Sequence, residues 1–307
     1  MSIPLVEGAS FEVIDRRFAS CFFPHERVER VWGEGRWCEG PAWLPAHRLL
    51  VWSDIPNNRM LRFDEINGTV GVLRQPSNHA NGNTVDRQGR LLSCEHSGRR
   101  VTRIEHDGST TVVADRWQGK RLNSPNDLVV HSDGSVWFTD PSYGIMSDYE
   151  GIRAESEIGG SHVYRVDPHS GEVERVADDF VKPNGLAFSP DESLLYIADS
   201  GWSDDPKAPR HIRCFDVSSN GKRLSASREF ATCSVGLFDG FRIDREGRFW
   251  SSAGDGVHVY TAGGELIGKI RLPEAAANLC FGGPKLNRLF ICATSSIYAC
   301  YLTVNGL

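Results

Sequence analysis

Short apolar runs of strand length, broken by polar turns, recur along the chain, and no stretch keeps the 3.6-residue period of a long amphipathic helix. One run repeats six times: RLLVWSDI from Arg48, RLLSCEH from Arg90, SVWFTDP from Ser135, LLYIADS from Leu194, RFWSSAG from Arg248 and RLFICAT from Arg288. Ahead of each stands another strand-like run, EGPAW, NGNTV, NDLVV, NGLAF, DGFRI and the weaker ANLCF, joined to it through LPAH, DRQG, HSDG, SPDE, DREG or GPKLN. These connectors are rich in turn formers. A third run follows each pair (NRMLRFD, RRVTRIE, SHVYRVD, RHIRCFD, GVHVY, SSIYACYL), and a fourth appears in most units, as in TVGVLRQ, STTVVAD, GEVERVAD and ELIGKIRL.

The repeating unit is therefore four short antiparallel strands, and its first strands start at Glu39, Asn81, Asn126, Asn184, Asp239 and about Ala277, spaced by 38 to 58 residues. That period predicts an all-β, six-bladed β-propeller. The sixth unit lacks an obvious fourth strand, whereas HERVERVW near the N-terminus resembles GEVERVAD. Residues 28–32 are expected to supply the outer strand of the last blade, which closes the ring and protects an edge. The chain then divides into an N-terminal extension, 1–26, packed on the outside, and a single propeller domain, 27–307.

Composition changes this picture little. The 31 Gly, 15 Pro, 8 Trp and 15 Phe suit many turns and aromatic strands, and 40% hydrophobic residues supply a core, which excludes global disorder. A net charge of −6 argues against a nucleic-acid or anionic-membrane partner, since counterion release needs a basic face. The acidic start MSIPLVEGASFEVIDRRF does not read as a signal peptide and no run of about 20 apolar residues occurs, so a cytoplasmic location is expected. The eight cysteines show no CxxC spacing and are expected to be buried and reduced.

The repeat phase also carries the chemistry. First strands of propeller blades line the central channel, so the six starting residues converge on one rim, and five of the six bear side-chain oxygens. Second strands end on the same face, which brings Asp54, Glu95, His96, the 140–143 segment, Asp199 and Ser200 around one opening. The insertions YGIMSDYEGIRAESEIGG and GWSDDPKAPR would lie over it as lids. Any single Asn-Gly or Asp-Gly reads as a turn. Glu39, however, is a poor turn residue in the same phase as Asn126, Asn184 and Asp239. Carboxylates crowded in a partly buried channel repel and need a countercharge. Carboxylate and amide oxygens without Cys or His favour Ca²⁺ or Mg²⁺ over a structural zinc; one divalent ion is expected, Ca²⁺ foremost, with Zn²⁺, Mg²⁺ or Mn²⁺ as alternatives. At the opposite strand ends, DRQG, HSDG, SPDE and DREG read as turns only.

The strings WCEGPAWLP, LLVWSDIPNNRMLRFD, SCEHSGRRVTR, LNSPNDLVVHSDGSVWFTDPSYGI, KPNGLAFSPDESLLYIADS and DGFRIDREGRFW resemble the gluconolactonase / senescence marker protein (regucalcin) family, and its bacterial gluconolactonase-like members above all. The resemblance covers roughly residues 28–304. It implies a six-bladed propeller with one catalytic divalent metal in the channel and hydrolysis of a sugar lactone. By motif it implies Glu39, Asn184 and Asp239 as metal ligands, Asn126 as a contact to metal or substrate, and Asp239 also as general base. Animal members of that family carry an Arg two residues before the Asn of the PND motif, where this chain has Ser124. Sugar recognition is therefore expected to differ, with His96, Tyr143 and Asn83 as candidate substrate contacts. For His96 a hydrogen-bonded structural role is the alternative.

The expected reaction is metal-assisted hydrolysis of a small-molecule lactone to a hydroxy acid, with Asp239 taking a proton from water and Asn126 orienting ring oxygens. Two rivals use the same channel: hydrolysis of organophosphates or other esters, and a non-catalytic calcium-binding propeller. No GxSxG, HExxH, Walker or EF-hand motif occurs, and GEGRWC at Gly33 fails GxGxxG. The sequence leaves the particular lactone and the oligomeric state open.

Overall fold

The computed structural model describes residues 6–307 and is built of six antiparallel propeller blades with four strands each, one of them extended by a fifth strand, and a separate two-stranded ribbon, Arg116–Trp117 with Lys120–Arg121. Blade 1 is Cys38–Leu44, Leu49–Asp54, Arg59–Asp64 and Thr69–Arg74. Blade 2 is Ala80–Val85, Leu91–Glu95, Arg100–Ile104 and Thr110–Ala114, and blade 3 is Leu128–Val130, Val136–Asp140, Ser161–Val166 and Val173–Phe180. Blade 4 is Pro183–Phe188, Leu194–Asp199, His211–Val217 and Leu224–Thr232. Blade 5 is Phe241–Ile243, Phe249–Ala253, Gly256–Tyr260 and Leu266–Arg271. Blade 6 takes Ala276–Gly282, Arg288–Ala293 and Ile297–Tyr301 from the C-terminus and Glu29–Trp32 from the N-terminal region as its outer strand. Ring closure is thus made as the sequence predicts, with Glu29 opposite Ala299 and Arg30 opposite Tyr298.

The core is not one mass but a wedge between each pair of neighbouring blades, because strand side chains alternate faces with period two. Trp137 and Phe138 show the rule. Trp137 packs with Leu186, Phe188 and Leu195 of blade 4, while Phe138 packs with Leu92, Cys94 and Val101 of blade 2. In blade 6, Leu289 and Ile291 face blade 5, and Phe290 and Cys292 face blade 1. Each such large side chain, removed from water, contributes roughly 1.5–3 kcal/mol. All eight cysteines are buried and free.

The residues ahead of the closing strand carry more structure than their sequence announces. Ser10–Val13 pairs antiparallel with Leu266–Arg271 and makes blade 5 five-stranded. A single helical turn, Arg16–Ala19, then sets Phe18 onto the face of Gly268, where any side chain would collide with its ring. Phe18 is fully buried beside Trp250, and Phe11 stacks on Phe22 at 4.3 Å. The first five residues of the predicted 1–26 extension lie outside the described residues. Among the described residues, no helix is long and apolar enough to cross a membrane.

First strands touch one another in sequence around the ring, so they line its axis. Backbone hydrogen bonds stitch them at their starts: Gly82 N–H donates to Asn126 O at 2.8 Å, Gly185 N–H to Asp239 O at 3.1 Å and Gly240 N–H to Ala277 O at 2.7 Å. These contacts require glycine, since a Cβ at any of the three would overlap the neighbouring blade. The Asn-Gly and Asp-Gly pairs here are therefore sites of close approach between blades rather than turns.

Candidate active site

Four of the six inner strands are irregular near their starts. The pairing of first to second strand shifts register between Glu39 and Ala42, between Ala80 and Asn83, between Pro183 and Leu186, and between Ala276 and Asn278. Such bulges re-aim side chains. The outcome is a cavity of about 280 Å³ at one mouth of the channel, lined by Glu39, Asn81, Asn126, Asn184 and Asp239 from five different blades. All four residues predicted to hold a metal are brought together. Blade 1 needs one further device: Gly40 has φ of +54°, and a Cβ there would strike the Asn81 carbonyl.

The remaining wall divides by chemistry. Trp37, Leu237, Ala253, Ala275 and Ala276 are its apolar lining, and the two insertions add Tyr143, Glu150 and Ser203. Both insertions thus cover the mouth, as their position after second strands predicts. The Tyr143 hydroxyl lies 3.2 Å from Ser203 Oγ, and Lys182 Nζ sits 4.3 Å from the Tyr143 ring centre while pairing with Asp204 at 2.5 Å. One insertion is thereby pinned to the other.

Two candidate substrate contacts are not brought to the cavity. Asn83 is fully buried, and its amide is consumed by the fold: Nδ2 donates to Gly40 O, Ser53 Oγ and Asn81 O, and Oδ1 accepts from Ser93 Oγ at 2.6 Å. His96 is also fully buried, one layer behind Asn81. Its Nδ1 faces Glu150 O at 2.9 Å and must carry the proton, so Nε2, 3.2 Å from Asn81 Nδ2, accepts. That assignment leaves Asn81 Oδ1 for the cavity. Burial holds His96 neutral and pulls its pKa down to about 4. The structural alternative for His96 fits this placement. Ser124 is equally committed: its Oγ donates to Pro141 O at 2.7 Å and accepts from Gly144 N–H at 2.9 Å, fixing the root of the first insertion.

Electrostatically the cavity floor is starved of positive charge. Burial first, then the carboxylates of Glu39, Asp127 and Glu150, push Asp239 well above the usual carboxylate range; the Asn184 amide partly opposes this. Burial and Asp127 likewise raise Glu39, against hydrogen bonds from Asn278 and the Gly40 N–H. Among the described residues no three His, Cys, Asp or Glu side chains converge on one point. A cation here would be held by two carboxylates and by amide oxygens. Two mutually repelling buried carboxylates, faced by neutral oxygen donors, fit a hard divalent ion.

Glu150 and Ser203 escaped the sequence reading because nothing in an insertion of irregular structure says which residue points inward. Asp127 and Asn278, which sit beneath Glu39, were in principle visible: they are the two non-glycine residues at the second position of the six inner strands.

Comparison with known proteins agrees with the fold. Residues 37–295 match the SMP-30/Gluconolactonase/LRE-like region. A gluconolactonase of Zymomonas mobilis is 31% identical over 293 residues, covering 88% of this chain and 80% of that protein. The pentonolactonase XacC of Haloferax volcanii is 29% identical, covering 82% and 80%. The solved structure of a Xanthomonas campestris gluconolactonase superposes with a TM-score of 0.91 at 38% identity, covering 98% of this chain and 97% of that one. With the profile match spanning most of its length, the chain belongs to the SMP-30/gluconolactonase/LRE-like family.

Proposed function

We propose that this protein hydrolyses a sugar lactone to the aldonic acid, with a divalent cation, Ca²⁺ foremost, held by Glu39, Asn126, Asn184 and Asp239. The observation that carries the reading is the meeting of those four side chains in one cavity, two of them carboxylates kept from ionising freely by burial and mutual repulsion. Lactone hydrolysis is also the activity in the names of the Zymomonas, Haloferax and Xanthomonas relatives.

The cation, when bound, would supply Lewis-acid polarisation of the lactone carbonyl and countercharge for the oxyanion. This chain's residues do the rest. Asp239 is the base that accepts a proton from the attacking water, a modest base suited to an activated ester. Asn126 orients the ring oxygens. Asn81 Oδ1, Glu150 and Ser203 face the cavity and suit sugar hydroxyls, while Trp37, Leu237, Ala253, Ala275 and Ala276 exclude bulk water.

The test is proton release from gluconolactone, galactonolactone and five-carbon lactones, run on chelated and on metal-restored protein. Turnover that disappears on chelation and returns with metal is expected. No turnover on any lactone with Ca²⁺, Mg²⁺, Mn²⁺ or Zn²⁺ would overturn the proposal.

A further inference from the structure

The residue after each inner-strand start is Gly40, Gly82, Asp127, Gly185, Gly240 or Asn278. Four glycines leave the space directly beneath the oxygen ring to two side chains. A Cβ on Gly240 would overlap the Asn278 amide, and one on Gly82 would overlap the Asp127 carboxylate, so both side chains sit in seats that only glycine provides. Asn278 and Asp127 are 2% and 1% exposed.

The Asn278 amide has one possible orientation. Its Oδ1 accepts the Leu279 N–H at 2.8 Å, which turns Nδ2 toward two carboxylates, Glu39 Oε2 at 3.0 Å and Asp127 Oδ2 at 3.4 Å. A flipped amide would lose the Leu279 bond and set an oxygen against both anions. From behind, Asp127 Oδ1 accepts the Leu128 N–H at 2.9 Å, and Arg242 stands 3.8 Å from Asp127 Oδ2. Arg242 is itself anchored on Phe241 O at 2.7 Å. Glu39 Oε2 also accepts the Gly40 N–H, so that oxygen is fully used and Oε1 is the one left for the cavity.

We propose that Asn278 is a positioning residue that holds Glu39 as a one-oxygen ligand, with Asp127, itself paired with Arg242, fixing the amide from its other side; this rests on the cation-dependent reading above. Asn278 is not among the residues that line the cavity. Its effect is to lock the Glu39 rotamer and to place two N–H donors between carboxylates that otherwise repel, as outer-shell groups do for metal ligands in general.

The experiment measures Mn²⁺ binding, by the electron-spin-resonance signal of free Mn²⁺, to the full chain and to Asn278→Asp and Asn278→Ala. Asn278→Asp fills the same seat but donates nothing. A merely space-filling Asn278 would tolerate it, whereas a positioning Asn278 would not. Mn²⁺ affinity is expected to fall about 10- to 100-fold in both variants, with kcat at saturating Mn²⁺ returning to within a few-fold of wild type. Should Asn278→Asp fail to fold, Asn278→Ser, which keeps a donor of shorter reach, takes its place with the same expectation. Affinity within twofold of wild type in the variants, or no Mn²⁺ binding by wild type at all, would overturn the inference. Wild-type binding without lactone turnover would remove the reaction and leave the inference standing, while lactone turnover with unaltered binding in the variants would do the reverse.

Discussion

The two ends of the inner strands put the same residue types into opposite situations. At the far end, Asp244 of the DREG turn is fully buried yet receives four donors: the Glu246 and Arg248 N–H groups at 3.0 and 2.9 Å, Arg248 Nε at 2.8 Å and Trp250 Nε1 at 3.0 Å. Asp86 repeats this with Gln88, Arg90 and the Arg90 guanidinium, and Asp191 takes Ser189, Ser193 and the Ser193 N–H, which draw its pKa down to about 2. At the cavity end, Asp239 and Glu39 face other carboxylates, and their pKa values move upward. Burial alone does not separate the two ends, since Asp244 is no more exposed than Glu39. The difference lies in the donors supplied: Asp244 has four to itself, whereas Glu39 and Asp239 share a few amide donors with neighbouring carboxylates, a shortfall that a bound cation would make good.

Breaking the satisfied end should cost stability and spare chemistry. Asp244→Ala removes the acceptor of Arg248 Nε and of the buried Trp250 indole and leaves the Arg248 guanidinium only its outer pair with Glu246, an expected loss of about 3–5 kcal/mol; urea unfolding checks this, and kcat of the remaining folded protein should stay at the wild-type value. An unchanged midpoint would erase the contrast. Removing divalent cation should act on the other end alone. At a hundredfold excess over Kd a bound ion stabilises by about 2.7 kcal/mol, so chelation should lower the Tm of wild type but not that of a Glu39→Gln/Asp239→Asn double variant. Equal shifts in both would sever metal binding from these two carboxylates.

A smaller effect comes from His96, whose pKa is depressed in the fold, so that its contribution is fully present above about pH 6.5 and is lost as pH falls toward 4. By pH 5 the loss is about 2 kcal/mol. His96→Gln should flatten that acid limb in urea unfolding measured from pH 7 to pH 5, and an unaltered limb would remove His96 as its source. Least of all, Tyr143→Phe removes the 3.2 Å contact to Ser203 across the two insertions. About 1 kcal/mol or less should be lost, seen as a few-fold rise in KM with kcat retained; a fall in kcat instead would move Tyr143 into the chemistry.

The fold was legible because its signals are periodic. Six copies of a two-strand pattern fix blade number, strand direction and the channel-facing residue, and HERVERVW marks the closing strand by likeness to GEVERVAD. Where the repeat holds, so does the placement: Glu39, Asn126, Asn184 and Asp239 share a phase in the repeat and meet in one cavity. Where it lapses, so does foresight. Asn83 shares a strand with Asn81 and His96 follows the next strand, but which way their amide and imidazole are spent depends on Ser53, Ser93 and Glu150, partners on other strands and in an insertion. The Asn-Gly pairs carried the ordinary turn signal although the glycine serves an inter-blade contact that no local window reveals. The fifth strand of blade 5 likewise follows from Phe18 finding Gly268, some 250 residues away.

Everything in the contrast converges on Asp239, the carboxylate with three anionic neighbours and the proposed base. The decisive experiment is the turnover of gluconolactone by Asp239→Asn at saturating divalent metal, with the fold checked by circular dichroism. A rate at least about a hundredfold below wild type is expected. Turnover near the wild-type rate in a folded Asp239→Asn protein would contradict the assignment.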